Sequence, residues 1–226
     1  MLNIVESAAQ AVAPIKDGST VMIGGFGVAG QPVELIDALI EQGATELTVV
    51  NNNAGNGDVG LAKLIHLGRV RKIICSFPRQ SDSHHFDAKY HAGEIELEVV
   101  PQGSLAERIR AAGAGIGAFF TPTGYGTPLA DGKEVRELGG KMQILEYPIT
   151  ADYSLTKALT ADRAGNLVYR KTARNFGPIM AAAATQSIVQ VSHLVERGQL
   201  DPEVVVTPGI YVDTVVAVSE SAVGQA

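Results

Sequence analysis

Short, largely apolar runs alternate along the first half of the chain with longer segments whose apolar residues recur every three or four positions. The runs at 21–23, 47–50, 72–75, 95–99 and 118–120 are too short for helices and rich in β-branched residues, so they predict strands. The periodic segments at 32–42, 59–67, 84–91 and 105–112 predict helices. The first of these opens at Pro32 and stops before Gly43, the usual punctuation of a helix. Strand–helix alternation with short connections implies βαβ units, and therefore a mainly parallel sheet covered by helices on both faces.

The pattern breaks between 121 and about 140. Thr121-Pro122-Thr123-Gly124-Tyr125-Gly126-Thr127-Pro128, Asp131-Gly132 and Gly139-Gly140 are turn signals, which predict a loop or lid carrying a small hairpin. Strands are expected at 143–147, 153–158 and 167–170, the last two joined through Asp162-Arg163-Ala164-Gly165-Asn166. These suggest a mixed or antiparallel extension of the sheet. A helix near 178–185 and strands at 187–191 and 204–206 close the pattern. The expected class is α/β, an open and mainly parallel sheet in one domain over 1–218. Residues 219–226 are small and polar and read as a disordered tail.

Composition narrows the function classes. A chain of 226 residues with 46% hydrophobic residues can fill a substantial core. No stretch approaches the ~20 apolar residues that span a bilayer, so no membrane partner is expected. No basic segment followed by an apolar run opens the chain, which argues against secretion. The lone cysteine excludes an internal disulfide and fits a reducing cytoplasm. A net charge of −6 without a basic run argues against nucleic acid.

The densest chemistry lies in Gly24-Gly25-Phe26-Gly27-Val28-Ala29-Gly30-Gln31-Pro32, between the first predicted strand and its helix. Residues 25–30 form a literal G-x-G-x-x-G, the spacing that holds dinucleotide phosphates. That use also requires an acidic residue ~20 positions on, at the end of the next strand, to bond ribose hydroxyls. The second strand ends instead in Asn51-Asn52-Asn53, and Asp58 comes too late. A nucleotide- or sugar-phosphate-binding module is thus disfavoured. The glycines still expose backbone N–H groups at a carboxyl edge, where ligands bind in parallel sheets; a plain tight turn is the alternative.

Asp17-Gly18, Gly24-Gly25-Phe26, Gly30 and Pro32 at this spacing resemble the signature of family I coenzyme A transferases. The likeness continues through Asn52-Asn53-Ala54-Gly55, Val99-Val100-Pro101-Gln102-Gly103-Ser104, Thr123-Gly124-Tyr125-Gly126-Thr127 and Ala173-Arg174-Asn175-Phe176, spanning almost the whole chain. It is to the alpha subunits of two-subunit 3-oxoacid transferases, and Arg71 through Ser83 resembles the branch that accepts 3-oxoadipate. The resemblance implies a CoA-transferase and ribose-phosphate-isomerase-like scaffold. It also implies CoA transfer from succinyl-CoA to 3-oxoadipate, with an acetoacetate-using enzyme as the alternative acceptor reading. Coenzyme A thioester is then a substrate, and no permanently bound cofactor is expected. The nucleophilic glutamate of the family belongs to the beta subunit, in a Ser-Glu-Asn-Gly type motif absent here; Ser219-Glu220-Ser221 is no substitute. The implied assembly is a heterotetramer of two alpha and two beta chains.

Several residues of this chain are then expected at the site. Gly24, Gly25, Phe26, Gly27 and Gly30 would admit the thioester and carboxylate. Gln102, between Pro101 and a helix, matches the family's oxyanion-hole glutamine; a solvent-facing turn residue is the alternative. Asn52 and Asn53 are either turn formers or ligands for the pantetheine arm or acid substrate. Arg79 either reads the distal carboxylate of the acceptor, with Ser76, Ser81 and Ser83 nearby, or is a solvated loop or interface arginine. Cys75 reads as a buried packing residue. His84, His85 and His91 share one helix without a cysteine or acidic partner in ligand register, so no metal is expected. Glu107, Arg108 and Arg110 suggest a solvated helix face or a partner contact.

Overall fold

A computed structural model describes residues 2–218; the expected tail at 219–226 lies outside them. In chain order the elements begin β1 (Asn3–Val5), α1 (Ala8–Val12), β2 (Thr20–Ile23), α2 (Val33–Gln42) and β3 (Leu47–Val50). Next come α3 (Leu61–His66), β4 (Val70–Cys75), α4 (His84–His91), β5 (Glu96–Val99) and α5 (Gln102–Gly113). The second half holds β6 (Phe119–Thr121), β7 (Val135–Leu138), β8 (Lys141–Glu146), β9 (Ala151–Asp162), β10 (Leu167–Val168), α6 (Gly177–Ala183), β11 (Ala184–Val195) and β12 (Thr214–Ala217). Among the described residues, nine strands form one sheet in the order β1-β12-β11-β9-β2-β3-β4-β5, with β10 paired to β9. Every pairing in it is parallel except β9 with β10.

The continuous apolar runs make sense in this sheet because its inner strands are buried on both faces. Val21, Ile23, Val49, Ile73 and Cys75 point to one face and pack with α1, α2, α3 and Phe86. Met22, Val50 and Ile74 point to the other, against α5 and α6. Alternation therefore survives as direction, with both directions apolar.

The mixed extension resolves into two parts. Both β9 and β11 join the large sheet in parallel, placing β9 beside β2 at its centre. Antiparallel pairing is confined to β10 and to a separate sheet of order β6-β8-β7, in which Gly139-Gly140 turns the hairpin. An ion ladder ties this small sheet to β5. Lys72 pairs with Glu98 at 2.7 Å, Arg108 reaches Glu98 at 3.3 Å and Glu146 at 3.7 Å, and Lys133 meets Glu146 at 2.6 Å. Arg108 Nε also donates to the Tyr147 carbonyl at 2.7 Å. Arg108 is thus a structural tie, not part of a solvated face.

One sequence expectation fails locally. The Val-rich stretch at 204–206 is not a strand; Pro202–Val204 forms a 3-10 turn, with the Asp201 carboxylate accepting from the Glu203 N–H at 2.9 Å. Flanking prolines leave this run only an edge contact, from the Val206 N–H to the Leu167 carbonyl. The closing strand is β12, inserted between β1 and β11. No helix among the described residues is long and apolar enough to cross a membrane.

Candidate active site

Parallel strands deliver their following loops to one edge, so residues 24–32, 51–60, 76–83 and 100–102 meet there. The glycine loop is built by close backbone contact. Gly24 N–H extends the β2–β9 ladder to the Leu155 carbonyl at 2.9 Å. Phe26 and Ala29 exchange backbone hydrogen bonds of 3.0 and 3.3 Å, leaving Phe26 at the tip, 50% exposed. Gly30 has φ +78°, and a Cβ there would stand 2.3 Å from the Ala173 carbonyl oxygen. Only glycine permits that approach. Asn175 Nδ2 donates to the Ala29 carbonyl at 2.9 Å, so the distant Ala173-Arg174-Asn175 segment clasps the loop. Pro32 caps α2 without entering it, and the buried Gln190 on β11 accepts the Leu35 N–H at 3.1 Å.

The asparagine run turns inward. Asn51, Asn52 and Asn53 are all almost fully buried. Asn51 Nδ2 donates to the Ile23 carbonyl at 2.6 Å, while its Oδ1 accepts the Asn53 N–H at 2.8 Å. Asn53 Oδ1 accepts the Gly55 N–H at 2.8 Å, and its Nδ2 is buried without a partner. Asn51 thus occupies the place a ribose-binding acid would hold and spends its side chain on the backbone. No carboxylate stands there to bond ribose hydroxyls.

Asn52 is the junction. Its Oδ1 accepts from Ser76 Oγ and from Gln102 Nε2, both at 2.8 Å. The same Ser76 hydroxyl lies 3.1 Å from the Asn52 carbonyl. Three loops therefore meet at one oxygen. Helix α5 starts at Gln102 rather than at 105, which puts this side chain at an exposed helix N-terminus with its positive dipole end. An amide NH2 has two donors, and Asn52 uses one. The remaining Gln102 N–H is available to a ligand oxygen.

The loop after β4 sits beside the glycine loop: a Cβ on Gly27 would lie 3.7 Å from Gln80 Nε2. Arg79 Nε donates to Asp87 Oδ1 at 2.6 Å, and both side chains are substantially exposed. Ser83 Oγ accepts the Gln80 N–H at 2.7 Å and lies 3.3 Å from the Gly55 carbonyl, so it braces the loop. Cys75 is buried, and burial pushes its thiol up to about 12; it is no nucleophile at neutral pH.

The histidines do have an acidic partner, contrary to the sequence expectation, because the fold brings Asp58 to them from the loop after β3. His85 Nε2 lies 2.7 Å from Asp58 Oδ1, and His84 Nδ1 lies 2.7 Å from Asp82 Oδ1. The hydrogen bond with His85 and the charge of His84 hold the Asp58 carboxyl below its usual range. Asp82, through its hydrogen bond and charge, raises His84. Spacing along one helix could not reveal this meeting of two loops.

Known proteins share both the sequence and the fold. The family profile described as coenzyme A transferase matches residues 5–218. The chain is 65% identical over 217 residues to the alpha (A-type) subunit of 3-oxoadipate CoA-transferase from Pseudomonas putida, covering 96% of this chain and 94% of that protein. It is 52% identical over 202 residues to the corresponding subunit of succinyl-CoA:3-ketoacid coenzyme A transferase from Xanthomonas campestris, covering 89% and 83%. The crystal structure of glutaconate coenzyme A-transferase from Acidaminococcus fermentans shares the fold at TM-score 0.85 and 20% identity, covering 96% of this chain and 76% of that one.

Proposed function

This chain belongs to the coenzyme A transferase family, and we propose that it is the alpha subunit of a two-chain enzyme moving CoA from succinyl-CoA to 3-oxoadipate. The 65% identity to the Pseudomonas putida protein, over nearly the full length of both chains, carries this reading. In it, a glutamate of the beta chain attacks the succinyl thioester carbonyl and expels CoA thiolate, leaving an acyl anhydride. The thiolate then attacks the glutamyl carbonyl, releasing succinate and forming a glutamyl thioester. A carboxylate of 3-oxoadipate repeats the two steps in reverse. One difficult exchange becomes several easier ones.

This chain's part is electrostatic and positional. Each addition puts negative charge on a carbonyl oxygen, and the free Gln102 N–H is oriented to receive it because Asn52 holds the other donor. One such preorganised donor is worth ~3 kcal/mol in the transition state. The glycine loop provides close access for thioester and carboxylate, and the unpartnered buried Asn53 Nδ2 suits a substrate or pantetheine carbonyl. Arg79 is proposed to leave Asp87 and pair with the distal carboxylate of the acceptor, since guanidinium and carboxylate match bidentately. Two alpha and two beta chains form the proposed assembly.

The test mixes this chain with its beta chain and follows 3-oxoadipyl-CoA formation. The expected result is activity only in the mixture, with Gln102→Ala lowering kcat roughly 100- to 1000-fold. Activity of the isolated chain, or an unchanged kcat in the variant, contradicts the assignment. Acetoacetate as the better acceptor would move the chain toward the 3-ketoacid branch represented by the Xanthomonas relative.

A further inference from the structure

Beside the site, the loop after β3 and the start of α4 place an oxygen and two imidazole nitrogens together. The ligand-type atoms of Asp58, His84 and His85 all lie within 4.8 Å of one another. His84 Nε2 is 3.4 Å from Asp58 Oδ1, and His85 Nε2 is 2.7 Å from the same oxygen. Two ligand atoms held tetrahedrally at about 2.1 Å from a dication are themselves about 3.4 Å apart. The His84–Asp58 edge already has that length. The His85–Asp58 edge reaches it by opening a fraction of an ångström as its hydrogen bond is exchanged for metal ligation.

A second feature separates this arrangement from a chance cluster. The other ring nitrogen of His84, Nδ1, lies 2.7 Å from Asp82 Oδ1. A carboxylate on the far nitrogen of a ligating histidine fixes its tautomer and orientation and recurs around protein metals. The frame is also built in advance. Gly57 N–H donates to the Asp82 carbonyl at 2.8 Å, and Asp82 N–H donates to Asn56 Oδ1 at 2.9 Å. The His66 ring lies 4.2 Å from the His85 ring and limits its motion. Asp58 and His84 are well exposed, so water can complete the coordination.

We propose that Asp58, His84 and His85 bind a transition-metal dication of the zinc class, with Asp82 as the outer carboxylate that orients His84. Two imidazoles favour zinc, nickel or copper over magnesium and calcium, which prefer all-oxygen sites. The bound ion cross-links residues 51–60, the loop that carries Asn52, to the N-terminus of α4.

The test titrates the EDTA-stripped full-length chain with zinc chloride by calorimetry, with magnesium chloride in parallel. A single equivalent of zinc should bind and raise the melting temperature, while magnesium does neither. Asp82→Asn should weaken zinc binding roughly 10- to 100-fold, as loss of an outer carboxylate does. Asp58→Asn and His84→Gln should weaken it further, and His91→Gln, at the far end of α4, should leave it unchanged. Circular dichroism checks that each variant is folded. Equal zinc affinity in all variants, equal binding of magnesium, or no zinc binding by the parent chain would each overturn the proposal.

Discussion

The loops after β3 and β4 leave neighbouring parallel strands at the same edge, yet they are built from opposite materials. Residues 51–53 are three buried asparagines bonded to backbone and to each other. Residues 79–87 carry two exposed ion pairs, Arg79 with Asp87 and His84 with Asp82. In the first loop, water cannot replace a lost partner, so each atom is costly to remove. In the second, solvent screens and substitutes, so side chains can change with little effect on folding. One edge thus combines a rigid frame for the reacting atoms with an adaptable rim for recognition.

The largest effect is expected in the adjoining glycine loop after β2, which is as tightly built as the asparagine loop. Gly30→Ala forces an L residue into φ +78° and a Cβ into the Ala173 carbonyl. The combined strain and overlap should cost at least about 3 kcal/mol, seen as a large drop in urea midpoint. Asn51→Ala should follow at about 2–3 kcal/mol, because the Ile23 carbonyl and Asn53 N–H lose their partner in a dry environment. A change below about 0.5 kcal/mol by chemical denaturation would mean that water enters this loop and that the contrast is false.

Smaller effects sharpen the boundary between the two loops. Ser76 belongs to the second loop but bonds into the first, through both oxygens of Asn52. Ser76→Ala should loosen Asn52 and misorient Gln102, lowering kcat by roughly fivefold for about 1 kcal/mol, with KM little changed. Rescue by Ser76→Thr is expected, since the hydroxyl is retained. Arg79→Ala should change stability by less than about 0.5 kcal/mol, because its ion pair with Asp87 is exposed. Its effect should appear in the assay instead, as a larger loss with 3-oxoadipate than with acetoacetate. Equal losses on both acceptors would remove Arg79 from acceptor recognition.

Much of the first half of the fold was legible because a doubly covered parallel sheet writes itself as short apolar runs between amphipathic segments. The strand at 47–50 and the helix at 84–91 match the observed β3 and α4 at both ends. The start of α5 was less visible, since Pro101 and Gly103 around Gln102 suggest a loop when read locally. β1, α1 and β12 were missed because they are short and gain their order from neighbours remote in sequence. The run at 204–206 misled for the converse reason: its valines carry strand propensity, but its prolines and edge position deny it a ladder.

The sequence by itself determined the class of sheet, the glycine loop at its carboxyl edge, the resemblance to one half of a transferase and the short set of polar residues worth watching. Local periodicity, turn chemistry and motif spacing are properties of consecutive residues, so they can be read without a fold. Only the tertiary structure decided that Asn51 faces the backbone, that Asn52 joins Ser76 to Gln102, and that Asp58 meets His84 and His85. Those pairings cross 24 to 50 residues of chain, and 26 to 27 residues at the histidine corner. They exist because parallel strands send every following loop to the same edge, where side chains with no relation in sequence become neighbours.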